Sequence, residues 1–182
     1  MVVYTDGSYF RPEAPEAPGY AVVFVKEETA DYFKVDVVYG VTLDKSKAAM
    51  WNVGGELEGA LTAINLVKNQ YRANEVDLYF DYAGIEFWAE GKWKTNKPAT
   101  QDYKRQVALL RNGIRIRFHK VSGHTGVLLN ELADMYAKKG IYAYLKDHSH
   151  VRTTETDLQI DKPKIAPVKK RFNPYVVFNG VK

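Results

Sequence analysis

Three strand-like segments stand in a row before the chain offers any helical period, and this order narrows the fold more than any single motif does. Residues 2–9, 19–26 and 34–43 are rich in Val, Tyr and Phe, residue types that suit a pleated, half-buried surface. The gaps between them are short, and the first, "RPEAPEAP", is an extended loop punctuated by Pro12, Pro15 and Pro18. Short connections predict an antiparallel meander. After it, "WNVGGELEGALTAINLVKNQ" places Val53, Leu57, Leu61 and Ile64 at helical spacing. "EVDLYFD" reads as a fourth strand, "YAGIEFWAEG" and "ATQDYKRQVALLRN" as two helices, "IRIRFHKV" as a fifth strand and "LNELADMYAKKGIYAYLK" as a closing helix. The order β-β-β-α-β-α-α-β-α predicts an α/β fold with a five-stranded mixed sheet flanked by helices.

That pattern occupies residues 1–146, the expected domain. From Asp147 onward the sequence turns polar and Pro-punctuated, which predicts a linker-like extension over 147–182, with "YVVFNGVK" as a possible terminal strand. The chain has no cysteine, so disulfides and thiolate metal sites are excluded and a cytoplasmic setting is expected. No apolar run approaches a membrane span, and no signal peptide is expected from the first residues. The net charge of +4 is concentrated in the extension, where seven basic residues face four acidic ones. Polyanion binding by the body therefore requires local clustering rather than global charge.

The acids fall at the ends of predicted strands and on predicted helices. Asp6 ends the first strand in "YTDGSY" and Asp81 ends the fourth in "LYFD". If those strands lie side by side and parallel, both carboxylates share the sheet edge at which α/β proteins bind ligands. Like charges that close raise each other's pKa unless a cation neutralises them. Carboxylates without His or Cys partners suit a hard cation such as Mg²⁺ or Mn²⁺. "GGELEG" adds Glu56 and Glu58, which are about 200° apart on a helix, so only one can face that edge. "NELAD" sets Asn130 and Asp134 on one face of the last helix.

Together these stretches resemble ribonuclease H of type 1. "YTDGSY", "NVGGELEGAL", "LYFDYAGIEFWAEGKWKTNKP" and "KVSGHTGVLLNELADMYAKKG" occur in family order over residues 1–141, and the third is especially similar to bacterial and phage-like members. The resemblance implies a ribonuclease H-like fold and hydrolysis of the RNA strand of an RNA/DNA hybrid, leaving 5′-phosphate and 3′-hydroxyl ends. It places the family's four acids on Asp6, Glu56, Asp81 and Asp134 and leaves Glu58 as surface. Two Mg²⁺ ions about 4 Å apart, with Mn²⁺ as substitute, are then expected, with Asp6 bridging both, Asp81 and Glu56 on one and Asp134 on the other. His124, in "SGHTG", falls on a mobile histidine that assists proton movement or product release.

For the hybrid, the resemblance points to Gly7, Ser8, Asn52 and Glu56 near the 2′-hydroxyl of the RNA. On the DNA strand, "GKWKTNK" supplies Lys92, Trp93, Lys94, Asn96 and Lys97. Two family features are not expected: an N-terminal hybrid-binding module, since the sequence opens on the first strand, and a basic handle helix, for which "KWKTNKPAT" is too short. Val53 also stands where relatives often carry a small polar residue, which predicts an altered phosphate pocket. The body is expected to act as a monomer, with the basic extension contacting nucleic acid or a protein. Two other readings stay open: a related polynucleotidyl transferase such as a junction resolvase, and a hybrid-binding module without activity.

Overall fold

The β-branched and aromatic runs form strands as expected, but they build a sheet of six strands rather than five. The structure, a computed structural model, describes residues 1–123 and 125–163. Its elements are β1 (Val2–Ser8), β2 (Gly19–Glu28), β3 (Tyr32–Val41), α1 (Lys45–Ala48), α2 (Asn52–Asn69) and β4 (Glu75–Phe80), then α3 (Gly84–Ala89), α4 (Pro98–Leu110), β5 (Arg115–Lys120), α5 (Leu128–Lys146) and β6 (Arg152–Asp161). The sheet order is β5-β4-β1-β2-β3-β6. β1 lies parallel to β4, with Val3 opposite Leu78, and β4 lies parallel to β5. The other three pairings are antiparallel. The side-by-side, parallel placement of the first and fourth strands is as the sequence predicts.

Helices cover both faces of the central strands, so the strand interiors are apolar on both sides. On one face, Val3, Val22, Phe24, Leu78 and Phe80 meet Leu57 and Ile64 of α2 and Tyr103 of α4, all fully buried. On the other, Ala21, Val23, Val35 and Val37 meet Leu129, Ala133 and Tyr136 of α5. A small third cluster seats Ala14 and Ala17 of the proline-rich loop against Ile141 and Tyr144 of α5. The short helix α1, not anticipated from the sequence, starts at Asp44, whose carboxylate accepts the Ser46 N–H at 2.8 Å. Asp and Ser at a helix start satisfy amides that have no intrahelical partner.

β6 is the correction to the expected linker. Residues 152–161 pair antiparallel with β3, so that part of the extension belongs to the sheet. Its polarity concealed it, because edge strands carry charge and hydroxyls that discourage further pairing. The polar groups are nonetheless fixed. Glu155 accepts the hydroxyls of Tyr39 and Tyr136, each at 2.8 Å, and pairs with Lys139. Opposite the single residue Asp36, β6 inserts both Thr156 and Asp157, a β-bulge, with Asp157 at φ 57°. The Asp157 N–H donates to Asp36 Oδ1 at 2.9 Å, and Tyr71 Oη donates to Asp36 Oδ2 at 2.8 Å. Leu158 and Ile160 pack against the Val35 and Val37 cluster. The segment "YVVFNGVK" lies outside the described residues.

Ending the chain after Lys146 should therefore destabilise the fold, by uncovering the β3 edge and removing the Asp157 N–H from Asp36. Restoring residues 147–163 to that truncation should recover stability. Thermal unfolding of the two truncations checks this, with about 2–4 °C of Tm lost for each kcal/mol in a domain of this size.

Candidate active site

The acid cluster exists because α2 approaches β1 and β2 to backbone contact. A Cβ on Gly7 would stand 2.4 Å from the Glu56 amide nitrogen, and one on Gly55 would stand 2.0 Å from the Gly19 carbonyl oxygen. No other residue fits at either point. The first turns of α2 thus press against the end of β1, and Glu56 arrives beside Asp6. β4, paired parallel with β1, delivers Asp81 to the same edge.

Ligand oxygens of Asp6, Glu56 and Asp81 lie within 4.8 Å of one another. Asp6 and Glu56 are buried, at 5% and 3% exposure, while Asp81 is half-buried. Burial and the Asp81 charge push Asp6 up to about 7, against the opposing pull of hydrogen bonds with Glu56 and the Gly7 N–H. Burial, with Asp6 and Asp81 adding charge, raises Glu56 well above the usual carboxylate range. Glu56 Oε2 is buried and has no hydrogen-bond partner among the described residues. A buried, unpartnered carboxylate oxygen among other carboxylates is costly by itself and is satisfied by a cation. The donor set is all oxygen, which fits a hard divalent ion.

The other expected residues distribute unevenly. Asp134, on α5, is not within 4.8 Å of all three acids, although its charge adds to the upward shift of Asp6. Its Oδ2 accepts from Lys138 Nζ at 2.6 Å, one turn along the helix. Glu58, on the far side of α2, forms an ion pair with the buried Lys47. The Gly7 N–H, expected near the substrate, donates to Asp6 Oδ1 at 2.7 Å, and Ser8 is buried. His124 lies outside the described residues.

Asn52, Lys94, Asn96 and Lys97 come together with Tyr82 and Trp88 around a groove of about 400 Å³ beside the acids. Trp93 is anchored rather than free. Its ring packs edge-on against Phe87, Trp88 and Tyr82, with centroids 5.1, 5.6 and 6.4 Å away, and it remains 40% exposed. Lys92 pairs with Glu86, whereas Lys94 and Lys97 form no ion pair with any described residue. The chain passes from α3 to α4 through residues 90–97 with no helix between.

Sequence reasoning missed Gly123 and Asn130. A Cβ on Gly123 would lie 2.5 Å from Asp81 Oδ2, so the loop before α5 crosses the acid closely. The glycine in "SGHTG" was the available signal. Asn130, noted only as a neighbour of Asp134, is 2% exposed, and its Oδ1 has no hydrogen-bond partner among the described residues. No pattern distinguishes such an asparagine from a surface one.

The "RNase H" family model matches residues 1–142. A ribonuclease H of Rhizobium etli is 35% identical over 103 residues, which cover 50% of this chain and 66% of that protein. A ribonuclease H of Syntrophomonas wolfei is 27% identical over 152 residues, covering 78% of this chain and 95% of that one. Among solved structures, LC11-RNase H1 in complex with an RNA/DNA hybrid superposes with a TM-score of 0.55 and 18% identity over 77% of this chain and 98% of that chain.

Repulsion among the acids carries a stability signature. Because Asp6 is raised from 3.8 to about 7 in the folded state, the metal-free protein binds more protons folded than unfolded. The contribution of this carboxyl to stability is then fullest below about pH 4 and is lost as pH rises through about 7. Asp6→Asn should flatten that fall and raise Tm at pH 8 in EDTA by several degrees. Melting curves from pH 5 to 8 check it.

Proposed function

The chain belongs to the ribonuclease H family, and we propose on that basis that it hydrolyses the RNA strand of RNA/DNA hybrids at the Asp6, Glu56 and Asp81 cluster. The observation that supports this most is the unpartnered Glu56 Oε2, buried among the three carboxylates. LC11-RNase H1, of the same fold, is described in complex with an RNA/DNA hybrid, and the groove beside the acids fits such a duplex in its chemistry.

In this proposal Asp6, Glu56 and Asp81 hold divalent ions, Mg²⁺ foremost, with Asp134 contributing from α5. When bound, such ions supply an activated water and stabilise the leaving oxygen of an in-line displacement at phosphorus. The residues of the chain provide the rest. Asp6, fixed by the Gly7 N–H, is held at the centre of the cluster with its Oδ1 oriented. Glu56, seated on the first turns of α2, has the position to bind and to accept from a 2′-hydroxyl, the group that separates RNA from DNA. Lys138 restrains Asp134 until a stronger positive charge competes for it. Lys94 and Lys97, free of ion pairs with described residues, are available to phosphates of the DNA strand, while Asn52 and Asn96 offer amides to the same groove.

Two outcomes test the assignment. Asp81→Asn should bind hybrid with little change and cut it about a thousandfold more slowly, ~4 kcal/mol of barrier; a labelled hybrid assayed with Mg²⁺, with Mn²⁺ and with EDTA reads both. Normal cutting would remove Asp81 from the chemistry. Replacing Lys94 and Lys97 together by Ala should lower the slope of log affinity against log salt by about 2, one for each lost phosphate contact.

A further inference from the structure

Trp51 lies outside the acid cluster and outside the hydrophobic core clusters. Trp51 precedes α2 with φ 60° and ψ −132°, a backbone conformation that favours glycine and that bulky residues rarely hold. Its ring is not buried in compensation: Trp51 is 56% exposed. Strain kept at an exposed aromatic points to a contact made outside the molecule.

Among the described residues the ring has one aromatic partner. Tyr9, from the loop after β1, stacks on Trp51 with centroids 6.5 Å apart and planes at 25°. The pair borders a second groove of about 450 Å³, separate from the one lined by Lys94 and Lys97, and Trp51 forms the ridge between them. Arg11 and Lys45 line this second groove, both exposed and neither in an ion pair with any described residue. Glu16 also lines it, and its charge helps to raise the pKa of Tyr144 after burial does.

Stacked aromatics beside unpaired basic side chains are the arrangement that binds single-stranded nucleic acid. Bases inside a duplex are already stacked and present only edges, whereas an unpaired nucleotide presents a π-face. Tyr9 lies three residues beyond Asp6, at most roughly 10 Å away along the chain, so the platform is within reach of the RNA strand that the acids would hold.

We propose that Trp51 and Tyr9 form a stacking platform for unpaired nucleotides of the RNA strand where it leaves the hybrid, with Arg11 and Lys45 on its phosphates. This rests on the ribonuclease H assignment and extends it, making a hybrid with a single-stranded RNA extension the preferred substrate over a blunt one.

The test compares a blunt hybrid with hybrids of the same paired length carrying a four-nucleotide RNA extension at the 5′ or the 3′ end, or the same extension as DNA. Affinity is read from tryptophan fluorescence of the full chain in EDTA, and KM from cleavage in Mg²⁺. The wild type should favour one RNA-extended hybrid about tenfold in both readouts. Trp51→Gly places at this backbone the residue it favours, so Tm should be held while the preference falls to about one. Trp51→Phe should restore part of it, and Tyr9→Leu should weaken it. Equal affinity of the wild type for blunt and extended hybrids would overturn the proposal, as would a preference that survives Trp51→Gly or one confined to DNA extensions. Failure to cut the blunt hybrid in Mg²⁺ would instead count against the ribonuclease H assignment, because the fluorescence arm needs no cleavage.

Discussion

The contact between the first turns of α2 and the ends of β1 and β2 sets the rest of the structure. Gly7 against the Glu56 amide and Gly55 against the Gly19 carbonyl allow the helix and the sheet to meet at backbone distance. With a larger residue at either point the helix would lift, and Glu56 would move off Asp6. The packing face of α2 below that contact, through Leu57 and Ile64, secures it with the largest core cluster. The site is therefore a consequence of packing: its geometry is as rigid as the helix–sheet interface that positions it. The mutual repulsion of the acids is the cost of that rigidity.

The order of elements was legible because the apolar periods are long and clean. Alternating strands and a helix bearing Val53, Leu57, Leu61 and Ile64 leave little ambiguity, and the parallel pairing of β1 with β4 follows from the topology. β6 was not legible. Residues 152–161 hold only Leu158 and Ile160 as large apolar residues, and their strand character depends on Glu155 meeting Tyr39, Tyr136 and Lys139 from two other elements. No local pattern encodes a partner supplied by β3 and α5. The same limit hid α1, four residues defined by one capping aspartate.

The acids of the site were legible through their positions at strand ends and through family resemblance. Their grouping was only partly so. Asp6, Glu56 and Asp81 converge, whereas Asp134 stands apart with Lys138, a neighbour whose effect requires knowing which helix face looks toward the sheet. Trp93, expected as a contact for the DNA strand, sits on Phe87, Trp88 and Tyr82. Trp51, which no periodicity marked, is distinguished only by a backbone angle that a sequence does not display.

The two ends of the described chain share one end of the sheet. The Met1 amino group donates to the Glu75 carbonyl at the start of β4, and Lys162 bonds the carbonyls of Thr29 and Asp31 in the β2–β3 turn. The acids occupy the opposite end, past Asp6 and Phe80. Tethering the protein to a bead, an electrode or a second enzyme through either of these residues would orient every molecule the same way, with the acids and both grooves turned toward the solution.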